Sequence, residues 1–154
     1  MSSKVIEFIN NIDSATKDFS RLYAVQLKEN SKSKVGNSFR ARCRELVPMI
    51  EEIGLVPSLS YCYAKAKQNI FQEVTKSFES NQQIDEKEDT EKGYAIFLYL
   101  VFRRLAELGI IEGVDAKIIE NLGKLEKKEQ LASKLIKEYL IQLKRLSEAI
   151  FEEK

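Results

Sequence analysis

Nine apolar or aromatic residues stand in a row from Tyr94 to Phe102 (YAIFLYLVF). A helix that carries them has no polar face, so other elements must wrap it on all sides. The run is about half the ~20 residues that cross a bilayer, which makes it a core helix and not a membrane span. Gly93 and Gly109 bracket it, and the pattern predicts a central helix over Gly93–Gly109. Two arginines interrupt its end. Arg103 can pair with Glu107 one turn on. Arg104 has no such partner within a turn and is a candidate for an external contact.

The rest of the chain supplies the wrapping. Six Gly and two Pro in 154 residues are few, which favours long helices over strands and turns. The reading is an all-α, single-domain bundle of about five or six helices over residues 1–154. Ser2 or Ser3 can cap a first helix with Val5, Ile9, Ile12, Phe19, Leu22, Tyr23 and Leu27 inward. Asn30–Gly36 reads as a short connection. A second helix puts Phe39, Cys43, Leu46, Val47, Ile50 and Ile53 on one face. Pro48 predicts a kink or restart near Leu46–Val47. Gly54 is read as a left-handed cap, with a turn over Gly54–Val56.

Pro57 fits the first position of a further helix, which carries Leu59, Cys62, Tyr63, Ala66, Ile70, Val74 and Phe78 inward to near Ser80. Residues 80–92, SNQQIDEKEDTEK, lack periodicity and read as a mobile acidic loop with only Ile84 to bury. Asp115 caps a short helix closed by Gly123. A last helix from about Leu125 to Phe151 buries Leu131, Leu135, Ile136, Tyr139, Leu140, Leu143, Leu146 and Ile150.

Net charge is +1, yet charge is segregated. Residues 28–44 carry six basic groups and one acidic, and residues 79–91 six acidic and one basic. A near-neutral total therefore hides two opposed patches. Lys127, Lys134, Lys137 and Lys144 fall within an arc of about 100° on the last helix. Interleaved Glu126, Glu129, Glu138 and Glu148 make a salt-laced solvated face the default there. Asp85, Asp89 and Glu91 offer oxygen ligands, but without the glycine-punctuated spacing of a calcium loop they read as a solvated linker.

The chain contains no histidine. That removes the usual general base, the usual metal ligand and every Ser–His or Cys–His pair. The six glycines are isolated and none precedes a GK[ST] sequence, so no phosphate loop is present. Cys43 and Cys62 fall on apolar faces and read as small buried hydrophobes; a bridge between them across the corner is geometrically conceivable. No metal site and no cofactor is indicated, and the chain is read as not an enzyme. MSSKVIEFINN lacks the apolar core and cleavage site of a signal peptide, which points to a soluble, cytoplasmic chain with no membrane partner.

Binding is the chemistry that remains. Arg40 and Arg44 lie one turn apart on one face, and Arg42 points elsewhere. Lys65 and Lys67 follow across the Gly54 corner. With Arg104, these form the candidate set for phosphate contacts. The competing reading pairs the arginines with Glu45, Glu51 or other carboxylates. Two other functions stay open: a helical scaffold or adaptor without nucleic acid, and a helix-turn-helix DNA-binding protein with Pro57–Phe78 as recognition helix. Against the last, the start of that helix has few basic or amide groups facing outward.

The stretch FRARCRELVPMIEEIGLVPSLSYCYAKA, residues 39–66, runs from a basic helix through a mid-helix proline to a Gly-Leu turn. An aromatic-x-x-Ala-Lys-Ala helix follows, and later a leucine-rich run opening at Tyr94 and ending in Leu-Gly-Ile at 108–110. This order resembles the small α-helical subunit of the archaeal and bacterial type III-B CRISPR effector, the Cmr complex, over roughly residues 20–110. The resemblance implies a non-catalytic protein whose copies stack head to tail beside the subunits that hold the guide RNA, its basic surface lining the path of the target RNA. Partners would be the other subunits of a ribonucleoprotein effector, copies of the chain itself, and guide or target RNA. Lys65 falls on the family's Ala-Lys position, Leu55 on its Gly-Leu turn, and Arg40, Arg42 and Arg44 in its basic helix. The acidic 80–92 stretch and the long C-terminal helix depart from the pattern.

Overall fold

The computed structural model describes residues 3–24, 32–114 and 118–152. Seven helices follow one another there, one or two more than expected, with no strand among the described residues: α1 (Ser3–Ala24), α2 (Lys34–Ile53), α3 (Leu55–Ala66), α4 (Gln68–Ser80), α5 (Asp89–Glu107), α6 (Ile118–Lys127) and α7 (Glu129–Ile150). The apolar run dictates the arrangement. Every residue from Lys92 to Phe102 is buried, and α5 is packed by α2, α3, α4 and α7. Its closest neighbour is α2. A side chain at Gly93 would come within 2.3 Å of Ser38 Oγ and 2.9 Å of the Ser38 carbonyl carbon, so a residue without a side chain lets the two backbones approach. α1 lies on the outside against α7.

The additional helix comes from a break inside the stretch read as one element from Pro57 to Phe78. Lys67, at φ 71° and ψ 144°, ends α3 and begins α4. No proline or glycine marks the break, so periodicity runs through it unnoticed. It also removes the long recognition helix that the helix-turn-helix alternative needs. α2, by contrast, is continuous through Pro48.

Gly54 has φ 101° and ψ 163°, an extended mirror-image conformation and not the left-handed helical cap expected. It alone separates α2 from α3, so Pro57 lies in the third position of α3, where its missing N–H still costs nothing. The Glu129 carboxylate supplies the cap: its Oε1 accepts from the Val56 N–H at 2.9 Å.

At the other end of α2, the Ser33 hydroxyl accepts from Gly36 N–H at 3.0 Å and donates to Glu86 Oε1 at 2.8 Å. Glu86 Oε2 takes the Val35 N–H at 2.9 Å. The acidic 80–92 stretch is thus tied to the bundle. Ile84 is buried, the fully buried Lys92 ammonium binds Asp85, and residues from Asp89 on are the first turn of α5.

Several boundaries shift. α6 continues through Gly123 and includes Leu125, α7 starts at Glu129, and Leu131 is exposed, as is Ile9 on α1. Asp115, Ser2 and Leu27 lie outside the described residues. Cys43 and Cys62 are buried and free. Burial pushes both thiols up from the ordinary value, the mark of inert core cysteines.

Candidate nucleic-acid interface

The basic residues do not form the continuous track read from their spacing. Arg40 turns inward: its Nη1 donates to the Phe151 carbonyl at 2.7 Å and the Glu148 carbonyl at 3.3 Å. A cation on the unpaired carbonyls at the end of α7 is a helix cap. Arg104 is 7% exposed and gives Asn11 Oδ1 two hydrogen bonds, at 3.0 and 2.8 Å. It joins α5 to α1, so the expectation of an outward contact is overturned; its partner came from a distant helix and was invisible within one turn. Arg103 bonds the Tyr99 hydroxyl at 3.2 Å, and Glu107, its expected partner, accepts from Ser14 at 3.3 Å.

Arg42 and Lys65 each lie against one of two touching tyrosine rings. Residues 42 and 45 are three apart on α2, and residues 61 and 65 four apart on α3, so each pair shares a helical face. Where those faces join α5, the Arg42 guanidinium carbon sits 4.6 Å from the centroid of the Tyr94 ring. Lys65 Nζ is 5.6 Å from that of Tyr61. The two rings meet edge to face at 6.1 Å and 79°. Glu45 fixes them: its carboxylate accepts from the Tyr94 hydroxyl at 2.7 Å and the Tyr61 hydroxyl at 3.3 Å. The same carboxylate is 3.7 Å from Arg42 Nε.

Burial, and then the bond to Glu45, push the Tyr94 hydroxyl well above its ordinary range, so it remains a donor. The Glu45 carboxylate offsets the Arg42 charge, so the net positive charge of this patch comes from Lys65 on the exposed surface; Arg44 is exposed as well. Lys67 is exposed at the α3–α4 break.

Spacing alone did not reveal Tyr61 and Tyr94, which join the site from other helices, whereas the reading that pairs the arginines with Glu45 holds for Arg42. Glu51, the other carboxylate considered for the arginines, faces Lys137 at 3.9 Å across a cavity of about 630 Å³ between α2 and α7. None of the six candidate residues lines that cavity. Among the described residues no three His, Cys, Asp or Glu side chains gather as a metal site, and no helix is long and apolar enough to cross a membrane.

The described residues define an all-α bundle, the class of small helical proteins. No family model matches the chain. It is 32% identical over 128 residues to the CRISPR system CMR subunit Cmr5 of Saccharolobus solfataricus, covering 77% of this chain and 82% of that protein. It superposes on a chain in the cryo-EM structure of the type III-B Cmr-beta bound to cognate target RNA and AMPPnP, with a TM-score of 0.79, 24% identity, and 96% and 99% of the two chains covered. For a chain of the Cmr-beta complex bound to non-cognate target RNA the values are 0.78, 25%, 94% and 97%. The chain belongs to the family of the small type III-B Cmr subunit, Cmr5.

Proposed function

We propose that the chain is a non-catalytic, single-domain subunit of a cytoplasmic type III-B effector, stacked with copies of itself and with other subunits beside the guide and target RNA. The Arg42–Lys65 surface faces the RNA phosphates. The observation that carries the RNA contact is the convergence of Arg42 and Lys65 on one tyrosine-backed patch. The relatives support the setting: the neighbouring structures are of a Cmr-beta bound to target RNA. Lys67 extends the surface beyond Lys65, Arg44 stands on another face of α2, Arg40 caps the end of α7 and Arg104 ties α5 to α1. No base-reading element is needed for phosphate contact, which is electrostatic and independent of sequence.

The test is RNA binding by the intact chain and by its reconstituted effector, measured against salt. Affinity falls steeply as salt rises, with a slope that counts the phosphate contacts. Lys65→Glu combined with Lys67→Glu weakens binding and flattens that slope while the far-UV spectrum and unfolding midpoint hold. Unchanged binding by the folded double variant would remove this surface. Failure of the wild-type chain to enter an effector assembled from its own subunits would remove the setting.

A further inference from the structure

We infer that the small pocket between α3 and α4 receives a single nucleobase, an inference that rests on the RNA reading above and extends it from phosphates to a base. The pocket holds about 120 Å³ and is lined by Tyr63 from α3 and by Gln68, Phe71, Gln72 and Thr75 from α4, with Val114 and Ile118 closing the far side. Tyr63 stands before the Lys67 break and Phe71 after it, and their rings meet edge to face at 6.1 Å and 86°.

Three features select the ligand. First, the volume suits one planar ring. Second, the lining joins aromatic and aliphatic carbon to two side-chain amides. Gln68 and Gln72 are one turn apart on the same face, and each offers a donor and an acceptor, the chemistry that reads a base edge. Third, Thr75 on the pocket wall carries a hydroxyl that has no hydrogen-bond partner. It faces away from solvent, and rotation of the Thr75 side chain about χ1 brings it to the pocket as a further partner for a base.

The surroundings agree with a base whose phosphate stays outside. Lys76 is on the rim and Lys67 at the helix break, while Glu79 on the same rim repels a phosphate from the pocket itself. Single-stranded bases are recognised in this manner, stacked on an aromatic ring and hydrogen-bonded along an edge.

The experiment uses the full-length chain, labelled for amide NMR and titrated with UMP, AMP and, as control, ribose 5-phosphate. The mononucleotides shift the Gln72 and Thr75 amides and the sugar phosphate does not. A Gln72→Ala, Thr75→Val double variant loses those shifts while its remaining spectrum is unchanged. In parallel, a short RNA binds about tenfold more tightly than its abasic counterpart, within the range that one stacked base contributes. In the double variant the ratio falls towards one.

Equal shifts with ribose 5-phosphate, no shifts with any ligand, or equal affinity for the two oligonucleotides would each overturn the pocket. Because the mononucleotide titration does not depend on the Arg42–Lys65 surface, it separates failure here from failure of the phosphate reading. A Lys65→Glu variant lowers affinity for both oligonucleotides by the same factor if that surface is correct.

Discussion

The Tyr139 hydroxyl donates to the Asp18 carboxylate inside the bundle, fastening the outermost helix, α1, to α7. Asp18 is fully buried, and Arg21 reaches it from the next turn of α1. Burial is the dominant influence and raises the Asp18 carboxyl above its ordinary value of 3.8, although Tyr139 and Arg21 oppose it. A carboxyl raised on folding stabilises the fold while it is protonated. That contribution is complete below the unfolded-state value near 3.8 and is lost as pH rises through the folded-state value. Asp18→Asn, which cannot ionise, is therefore expected to flatten this segment of the stability–pH profile. Urea unfolding midpoints taken from pH 3 upward, compared with wild type, check it; an unchanged profile would remove Asp18 as its source.

Arg104 supplies a prediction opposite to the one its position in sequence suggests. Its guanidinium spans α5 and α1 through Asn11, with its carbon 6.0 Å from the centroid of the Tyr139 ring. Arg104→Ala leaves Asn11 without its charged partner and opens a gap, for a loss of about 2–3 kcal/mol. RNA affinity of the folded fraction is expected to stay at the wild-type level. Denaturant titration and a binding assay on the same preparation separate the two effects.

What was legible in the sequence was the part governed by period. An uninterrupted apolar run such as 94–102 can exist only at the centre, and that is where α5 lies. Partnerships set by tertiary geometry were not legible. Arg40 and Arg44 share a helical repeat, but Arg40 is held by carbonyls of α7, more than a hundred residues away in sequence. Arg42 and Lys65 lie on the two rings that Glu45 ties together across three helices. The break at Lys67 was hidden for a different reason. A lysine at positive φ is uncommon, so no residue there announces a turn.

That break is itself testable. A side chain at φ 71° and ψ 144° occupies a region where glycine is the usual residue, at a cost of order 1–3 kcal/mol. Lys67→Gly relieves the strain and loses some of the gain to the greater freedom of glycine in the unfolded chain. The expected net effect is a stabilisation of about 1 kcal/mol, read as a higher urea midpoint. An alanine at the same position keeps the strain, so Lys67→Ala should show no such gain. Equal midpoints for the glycine and alanine variants would show that the backbone there is relaxed.

The Gly54 corner combines a conformational requirement with a cap, and two substitutions separate them. Gly54→Ala places a side chain at φ 101° and 2.7 Å from Glu129 Oε1. It therefore strains the backbone and displaces the carboxylate that holds the Val56 N–H. Glu129→Ala removes only the cap, a loss of about 1 kcal/mol. Glu129→Gln keeps an acceptor oxygen and loses only the favourable charge at the start of α3, worth a few tenths of a kcal/mol. The expected order of destabilisation is Gly54→Ala, then Glu129→Ala, then Glu129→Gln. Because alanine at 54 already dislodges the Glu129 carboxylate, adding Glu129→Ala to it should cost little more. A double variant whose loss equals the full sum of the singles would show that corner and cap act independently.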